Sequence, residues 1–320
     1  MKYAHLPRRA SVAAVTVSAL LTLTACGGDD TTEKTSAKAP AAVEIAGVSV
    51  KKDATQHDAL PAAIKASGTV RVATDVPYAP FEMFVEEGKP ELTGLDYDLG
   101  QAIGARLGVK FAFTPQKFDG IVPAIQAGKF DVAMSAMTDN KERQAVVDFV
   151  DYSVSGSGIL VARGNPEKIT TLDDLCGKKV AVQAATNQLD LLKGHQKACK
   201  KAGGSGQIDI QTFPKDSDAQ LALRAKKVVA QVLTKPAAGW TAKTADGGAT
   251  FEVVDDPAAT GGYNASPNGI AVSKKLPELT DGIQKALQSL IDDGTAAKIF
   301  DKYGVGSIAV KEATRNAAVD

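Results

Sequence analysis

The residues of this 320-residue chain with the clearest chemical potential are short hydroxyls and one arginine at the ends of extended runs. Ser135 and Thr138 follow the β-rich run 130–134, and Arg143 opens a predicted helix directly after the 138–140 loop. Ligands of α/β sheets gather at the carboxyl ends of strands. A planar guanidinium there, beside the free N–H groups of a helix start, can converge on a carboxylate. Thr186 follows a second strand-like run, 179–183, where its hydroxyl can cap the next helix and turn that helix's first N–H groups toward the same anion. This chemistry is recognition, not bond-making. Each residue also has a plain structural reading: Arg143 as a surface partner of Glu142, and the hydroxyls as loop caps.

An enzyme needs a general acid, a nucleophile or a metal. The three histidines, His5, His57 and His195, are far apart in the sequence, and there is no P-loop, nucleophile elbow or zinc motif. The expectation is a non-enzyme with no cofactor and no metal. Lys+Arg and Asp+Glu each number 37, and 44% of residues are hydrophobic. A balanced, moderately apolar chain is a folded body, not a nucleic-acid coat or a disordered tail.

Stepping along the chain, β-rich runs alternate with helical periods, which predicts an α/β fold. Leu99, Ile103 and Leu107 recur at i, i+4, i+8 in a helix over 97–108, with Asp96 available as cap and Gly108 as stop. Strands at 69–74, 110–115 and 130–134 accompany it, with a shorter helix at 119–128. A second block, with strands at 179–183, 207–213 and 228–233 and helices at 186–202 and 217–225, implies a second lobe. The final helices carry Ile283, Leu287, Leu290 and Ile291, then residues 295–303. The tail 309–320 has little apolar period and is expected to be loose.

The amino terminus has Lys2, Arg8 and Arg9, then an uncharged run over 10–25 ending in Leu23-Thr24-Ala25-Cys26. That run is shorter than the roughly 20 residues of a membrane-spanning helix, and it reads as an export signal over 1–25. Leu23-Thr24-Ala25-Cys26 resembles a bacterial lipobox, which implies cleavage before Cys26, acylation of its sulfur and anchorage to the cell membrane. Residues 26–60, polar and small at their start, are expected to be a flexible tether. With Cys26 acylated, Cys176 and Cys199 remain as a pair in an oxidising compartment, where a disulfide is the economical assignment. A His195/Cys199 metal pair at i, i+4 is the alternative, but two ligands make a poor site.

The motifs Thr69-Val70-Arg71-Val72-Ala73-Thr74-Asp75, Tyr78-Ala79-Pro80-Phe81-Glu82, Leu92-Thr93-Gly94-Leu95-Asp96-Tyr97-Asp98-Leu99 and Phe118-Asp119-Gly120-Ile121-Val122-Pro123-Ala124 run in order along the chain, followed by Gly128-Lys129-Phe130-Asp131-Val132, Glu142-Arg143 and Lys302-Tyr303-Gly304. Together they resemble the bacterial solute-binding proteins of family 3, which bind polar amino acids for ABC importers. The resemblance implies a two-lobe, type II periplasmic-binding-protein-like fold with two hinge crossovers. Lobe one would span 61–157 plus 265–308, and lobe two 158–264. It implies a ligand held between closing lobes by Asp75, Tyr78, Phe118, Ser135, Thr138, Arg143 and Thr186, the two aromatics stacking on its aliphatic part. The partners implied are a small solute, expected to be an amino acid, an ABC permease and its ATPase subunits, with no nucleic acid. A sensor without transport and a dehydratase-like enzyme on the same fold are the alternatives.

The chain departs from the family at one telling place. In Val232-Leu233-Thr234-Lys235-Pro236, Thr234 stands where the family carries an aspartate for the ligand's ammonium group. An ammonium moved from water into a closed cleft needs a paired charge or several acceptors. Asp75 could compensate in part, or favour a basic or amide ligand, or simply cap its strand.

Overall fold

A computed structural model of the protein describes residues 42–201 and 206–318. The first of these form a hairpin of β1 (Val43–Ile45) and β2 (Val48–Val50). Ala46 and Gly47 at its tip both take positive φ, 49° and 73°, the backbone of a two-residue turn whose twist matches its strands. Ile45 and Val50 join the main apolar core, as does Leu60. His57 in α1 (Ala54–Asp58) places Nδ1 2.8 Å from the carbonyl of Leu107. The expectation of a tether over 26–60 is therefore corrected from residue 43 onward: Ile45, Val50 and Leu60 bury apolar surface that pins the segment to the core. The signal at 1–25 and the lipidation site Cys26 lie outside the described residues.

After α2 (Ala62–Ser67), β3 (Thr69–Thr74), and the small pair β4 (Met83–Phe84) and β5 (Leu92–Thr93), α3 (Leu95–Leu107) buries Leu95, Leu99, Ile103 and Leu107 completely. It ends at Gly108, whose φ of 64° is the left-handed stop that glycine favours. Asp96 does not cap it. Gly94 does, and Asp96 turns inward, accepting from the Ala136 N–H at 2.7 Å and the Tyr152 hydroxyl at 2.7 Å. There follow β6 (Lys110–Pro115), α4 (Ile121–Gln126), β7 (Val132–Ala133), α5 (Lys141–Gln144) and the long β8 (Val147–Ala162).

The second block runs β9 (Lys179–Gln183), α6 (Asn187–Lys201), β10 (Asp209–Phe213), α7 (Asp216–Arg224), β11 (Ala230–Thr234), α8 (Lys235–Thr244) and β12 (Phe251–Val253). The chain returns through β13 (Tyr263–Ser273) to α9 (Pro277–Asp292), α10 (Thr295–Lys302) and β14 (Ala309–Arg315).

These strands make one sheet in the order β10-β9-β11-β8-β13-β7-β3-β6, with β12 and β14 also on β8. Each end is a parallel block, β10-β9-β11 and β7-β3-β6. Between them β8 and β13 run antiparallel to each other, from Val147↔Ser273 to Ser157↔Tyr263. β8 carries the chain from one block to the other and β13 brings it back, which makes the α/β fold a two-lobe one. At the crossing a Cβ on Gly156 would sit 2.4 Å from the backbone of Gly262, so the two strands approach only because neither residue has a side chain.

The tail over 309–318 is not loose. Thr314 and Arg315 of β14 register with Asp151 and Val150 of β8, and the N–H groups of Ala317 and Ala318 donate to Asp151 and Asp139 at 3.2 and 3.0 Å. Backbone pairing and carboxylate acceptors hold it, and neither leaves an apolar period in the sequence.

Candidate ligand-binding site

The carboxyl ends of the parallel strands from both blocks face one cleft. Lobe one contributes Asp75 after β3, Tyr78 and Glu82 from the loop beyond, Phe118 after β6, and Ser135, Ala136 and Thr138 after β7; Arg143 stands on α5. Lobe two contributes Gln183 at the end of β9, Thr186, Asn187 and Gln188 at the start of α6, and Thr234 at the end of β11. All seven residues expected from the sequence line this one cleft.

Arg143 carries the strongest ligand chemistry. Asn140 caps α5 by accepting from the Arg143 N–H at 2.8 Å. The guanidinium donates to the carbonyls of Thr138 at 2.7 Å and Ala185 at 2.9 Å, and lies 5.4 Å from the centre of the Phe118 ring. Among the described residues no carboxylate oxygen stands within ion-pair distance of it. Burial pulls its pKa down to about 10, which leaves it a cation at neutral pH. A half-buried guanidinium bonded only to neutral carbonyls retains its attraction for an anion.

The hydroxyls play different parts. Ser135 Oγ accepts from the Asp75 N–H at 2.9 Å and gives its one proton to Glu82 Oε1 at 2.9 Å, so in this geometry it shapes the lobe-one wall. Thr138 presents its carbonyl to Arg143, and its own hydroxyl reaches Asn268 only at 3.4 Å. Thr186 caps α6, accepting from the Leu189 N–H at 3.2 Å and donating to the Gln183 carbonyl at 2.8 Å. That leaves the N–H groups of Asn187 and Gln188, at the very start of the helix, ahead of the first intrahelical acceptor.

The cleft is drawn shut by polar pairs between the lobes. Tyr78 meets Thr234 and Gln183 Nε2 donates to Asp75 Oδ2 at 2.6 Å, while Asn140 Nδ2 donates to Asn187 Oδ1 at 2.9 Å. A cavity of about 20 Å³ remains, room for about one water. A solute larger than a water enters only when these pairs part.

Two acids, Asp75 and Glu82, line the same cleft. Burial pushes the Asp75 carboxyl up, against the bond from Gln183 and the charge of Lys215. Glu82 is 1% exposed, and burial beside Asp96 drives its pKa well above the carboxylate range. Glu82 and Gln183 are cleft residues that the sequence reading passed over. The first sits inside the quoted Phe81-Glu82 motif and the second is the last residue of a strand, a position that would have singled it out.

The Sγ atoms of Cys176 and Cys199 are joined at 1.97 Å, closing the expected disulfide. His195 Nε2 lies 2.8 Å from Asp173 Oδ1. Bonded sulfurs are poor ligands, so the His195/Cys199 metal alternative falls away. No helix among the described residues is long and apolar enough to cross a membrane.

The sequence matches the family of bacterial extracellular solute-binding proteins, family 3, over residues 70–306. It is 29% identical over 261 residues to the L-cystine-binding protein TcyJ of Escherichia coli (strain K12), spanning 81% of this chain and 90% of that protein. To the arginine-binding protein ArgT of Corynebacterium glutamicum it is 30% identical over 258 residues, 80% of this chain and 81% of that one. Among solved structures, the ancestral amino acid-binding protein AncCDT-1, a precursor of cyclohexadienyl dehydratase, matches with a TM-score of 0.65 and 36% identity, covering 75% of this chain and 97% of its own. With the two-lobe sheet and a cleft built from its strand ends, this match over most of the chain makes the protein a member of the bacterial extracellular solute-binding proteins, family 3.

Proposed function

We propose that this protein captures an amino acid outside the cytoplasm by closing two lobes around it, and delivers it to the permease of an ABC importer driven by ATPase subunits. The observation that carries this reading is Arg143, a cation in a closing cleft with neutral carbonyls as its hydrogen-bond partners. The ligand's carboxylate would take the guanidinium fork and the first N–H groups of α6, and Phe118 and Tyr78 would pack on its carbon chain. Asp75 would receive a basic side chain, in keeping with a relative named for arginine. A binding protein is favoured over a dehydratase because the relatives that match over about 80% of the chain are named for the amino acids they bind.

The test is a thermal-shift panel of amino acids, opines, polyamines and quaternary amines, followed by chromatography of the incubated compound. A ligand at 100 times its Kd stabilises the fold by about 2.7 kcal/mol. Saturable stabilisation with the compound recovered intact is the expected result, and its consumption would favour the enzyme.

We further propose that lipid on Cys26 holds the mature protein at the cell membrane, as the Leu23-Thr24-Ala25-Cys26 motif suggests. Cys26→Ala should move the protein from membrane to soluble fractions. An unchanged distribution would remove the anchor from the reading.

A further inference from the structure

The family match ends at residue 306, yet the chain continues through β14 into residues that touch the ligand loop from behind. β14 first packs on α9, where Arg315 pairs with Asp281, and the Ala313 carbonyl and N–H bond Gln284 and Gln288 at 2.8 and 2.9 Å. It also lies along β8, the strand that carries the chain between the lobes. Asn316 follows, its N–H donating to the Phe149 carbonyl at 3.2 Å and its Oδ1 accepting from the Phe149 N–H at 2.7 Å. The next two residues present consecutive N–H groups to two acids. Ala317 donates to Asp151 Oδ2 at 3.2 Å and Ala318 to Asp139 Oδ2 at 3.0 Å.

These acids sit where charge is hard to hold, since both are wholly buried. Asp151 Oδ1 has no hydrogen-bond partner and lies so close over Gly269 that a Cβ there would meet it at 2.7 Å. Besides the strap, Thr314 Oγ1 donates to Asp151 Oδ2 at 3.1 Å, and Gln144 Nε2 donates to both oxygens of Asp139. Burial first, and then the charge of Asp139, lifts the Asp151 pKa to about 6. Burial also pushes Asp139 up, against the N–H groups of Ala318 and Ala317, the Gln144 amide and the charge of Lys141. Of the other groups nearby, Tyr152 is made harder to ionise by Asp151, and Asp148 faces Lys274 and Asn316. Thr314, Gln144, Asn316 and Gly269 do not titrate.

Asp139 stands between the two residues that fix Arg143: the Thr138 carbonyl accepts from its guanidinium, and Asn140 Oδ1 accepts from its N–H. Like charges repel more strongly in a buried site than in water, so the pair tends to push the loop away from β8. We propose that the strap over 309–318 is a clamp on the ligand loop: the N–H groups of Ala317 and Ala318 hold Asp139 beside Asp151 against their repulsion, and so position Arg143. Asp139 and Asp151 act through the loop and touch no ligand. The consequence for affinity rests on the amino-acid reading above, whereas the consequence for the loop does not.

Hydrogen exchange of the full-length Ala318→Pro variant tests the clamp without a ligand. Proline has no N–H, so Asp139 loses its donor from the strap. At pH 7.5 the amides of Asp139, Arg143 and Gln144 should lose about tenfold in protection, the scale of one hydrogen bond, while those of α9 change by less than about twofold. At pH 5, where Asp151 is protonated, the loss should shrink. Adding Asp151→Asn should restore protection at pH 7.5, because it removes one of the two charges. A chain ended at Arg315 gives the same comparison without a proline in the strap. Unchanged loop protection in both variants, a loss equal at both pH values and not restored by Asp151→Asn, or a loss spread equally over α9 would overturn the proposal.

Calorimetry with L-arginine carries the test to the ligand. Ala318→Pro should weaken its Kd by about three- to tenfold at pH 7.5, the scale of ordering one long side chain on binding, and Asp151→Asn should recover it. An unchanged Kd beside a loop that has lost protection would sever the strap from Arg143 and sink the idea. A wild type that binds no amino acid would remove the amino-acid reading and leave the clamp to be decided by the exchange data.

Discussion

The phenol oxygen of Tyr78 lies 2.8 Å from Thr234 Oγ1 and accepts the Thr234 backbone N–H at 3.0 Å. One residue stands in the loop after β3 and the other caps α8, so a single side chain bolts the two lobes together. Tyr78→Phe removes both bonds, which at about 0.5–1.5 kcal/mol each weakens the closed form. Small-angle scattering of the ligand-free variant should show a larger radius of gyration than the wild type. Identical scattering would mean that the Asp75–Gln183, Asn140–Asn187 and Arg143–Ala185 pairs close the cleft without it.

Arg143→Lys should fold normally and lose most of its affinity. Lysine keeps the charge but cannot reproduce the planar fork or the stacking on Phe118. Breaking a desolvated, hydrogen-bonded charge pair costs about 2–5 kcal/mol, or roughly thirtyfold to several thousandfold in Kd. A loss below about threefold by calorimetry would make Arg143 structural and point to a ligand without a carboxylate.

The disulfide should contribute stability without touching recognition. It joins residues 23 apart in the sequence, between the turn before β9 and the last part of α6. Constraining a loop of that size stabilises by about 3 kcal/mol in the chain-entropy picture. Cys176→Ser with Cys199→Ser should therefore lower the denaturant midpoint and leave the Kd within about twofold, because neither cysteine lines the cleft. A large change in Kd would tie the bridge to the shape of the site.

Stability should fall as pH rises from the carboxylate range toward neutrality. Burial lifts Asp96 and Asp151 to about 6 and Asp216 to about 7, and Glu82 rises with them. Each of these groups holds its proton more tightly in the fold than in the unfolded chain, so stability is full below the ordinary carboxylate range and declines between about pH 4 and pH 7. The lowered acids Asp174 and Asp293 work in the opposite sense, but their effect develops below about pH 4. Tm should be higher at pH 5 than at pH 7.5 by at least about 3 °C, the scale of 1 kcal/mol for a domain of this size. Asp151→Asn should flatten part of that slope. A Tm that rises over the same interval would contradict the assignment of these groups.

Much of this molecule is local and therefore legible in the sequence. Leu99, Ile103 and Leu107 mark the buried face of α3, and Gly108 its left-handed stop, because helical period and chain reversal depend on near neighbours. The β–α alternation predicts the lobes and puts Ser135, Thr138, Thr186 and Arg143 at strand ends and helix starts, where the cleft is found. Two cysteines left over once Cys26 is read as a lipidation site were enough to expect their pairing.

The β1–β2 hairpin and the β14 strap escaped because short strands and backbone pairing carry little periodicity. Asp96 reads as a helix cap but turns inward to Tyr152, since a buried partner 56 residues away competes for it. Which hydroxyls are already engaged and which amide bridges the lobes were decided only when β8 and β13 brought the two strand-end rows face to face. Tyr78 and Thr234 are 156 residues apart in the chain. Hydrogen bonds act over about 3 Å, so no pattern of neighbours along the sequence can specify a contact that exists only when two separately folded lobes close.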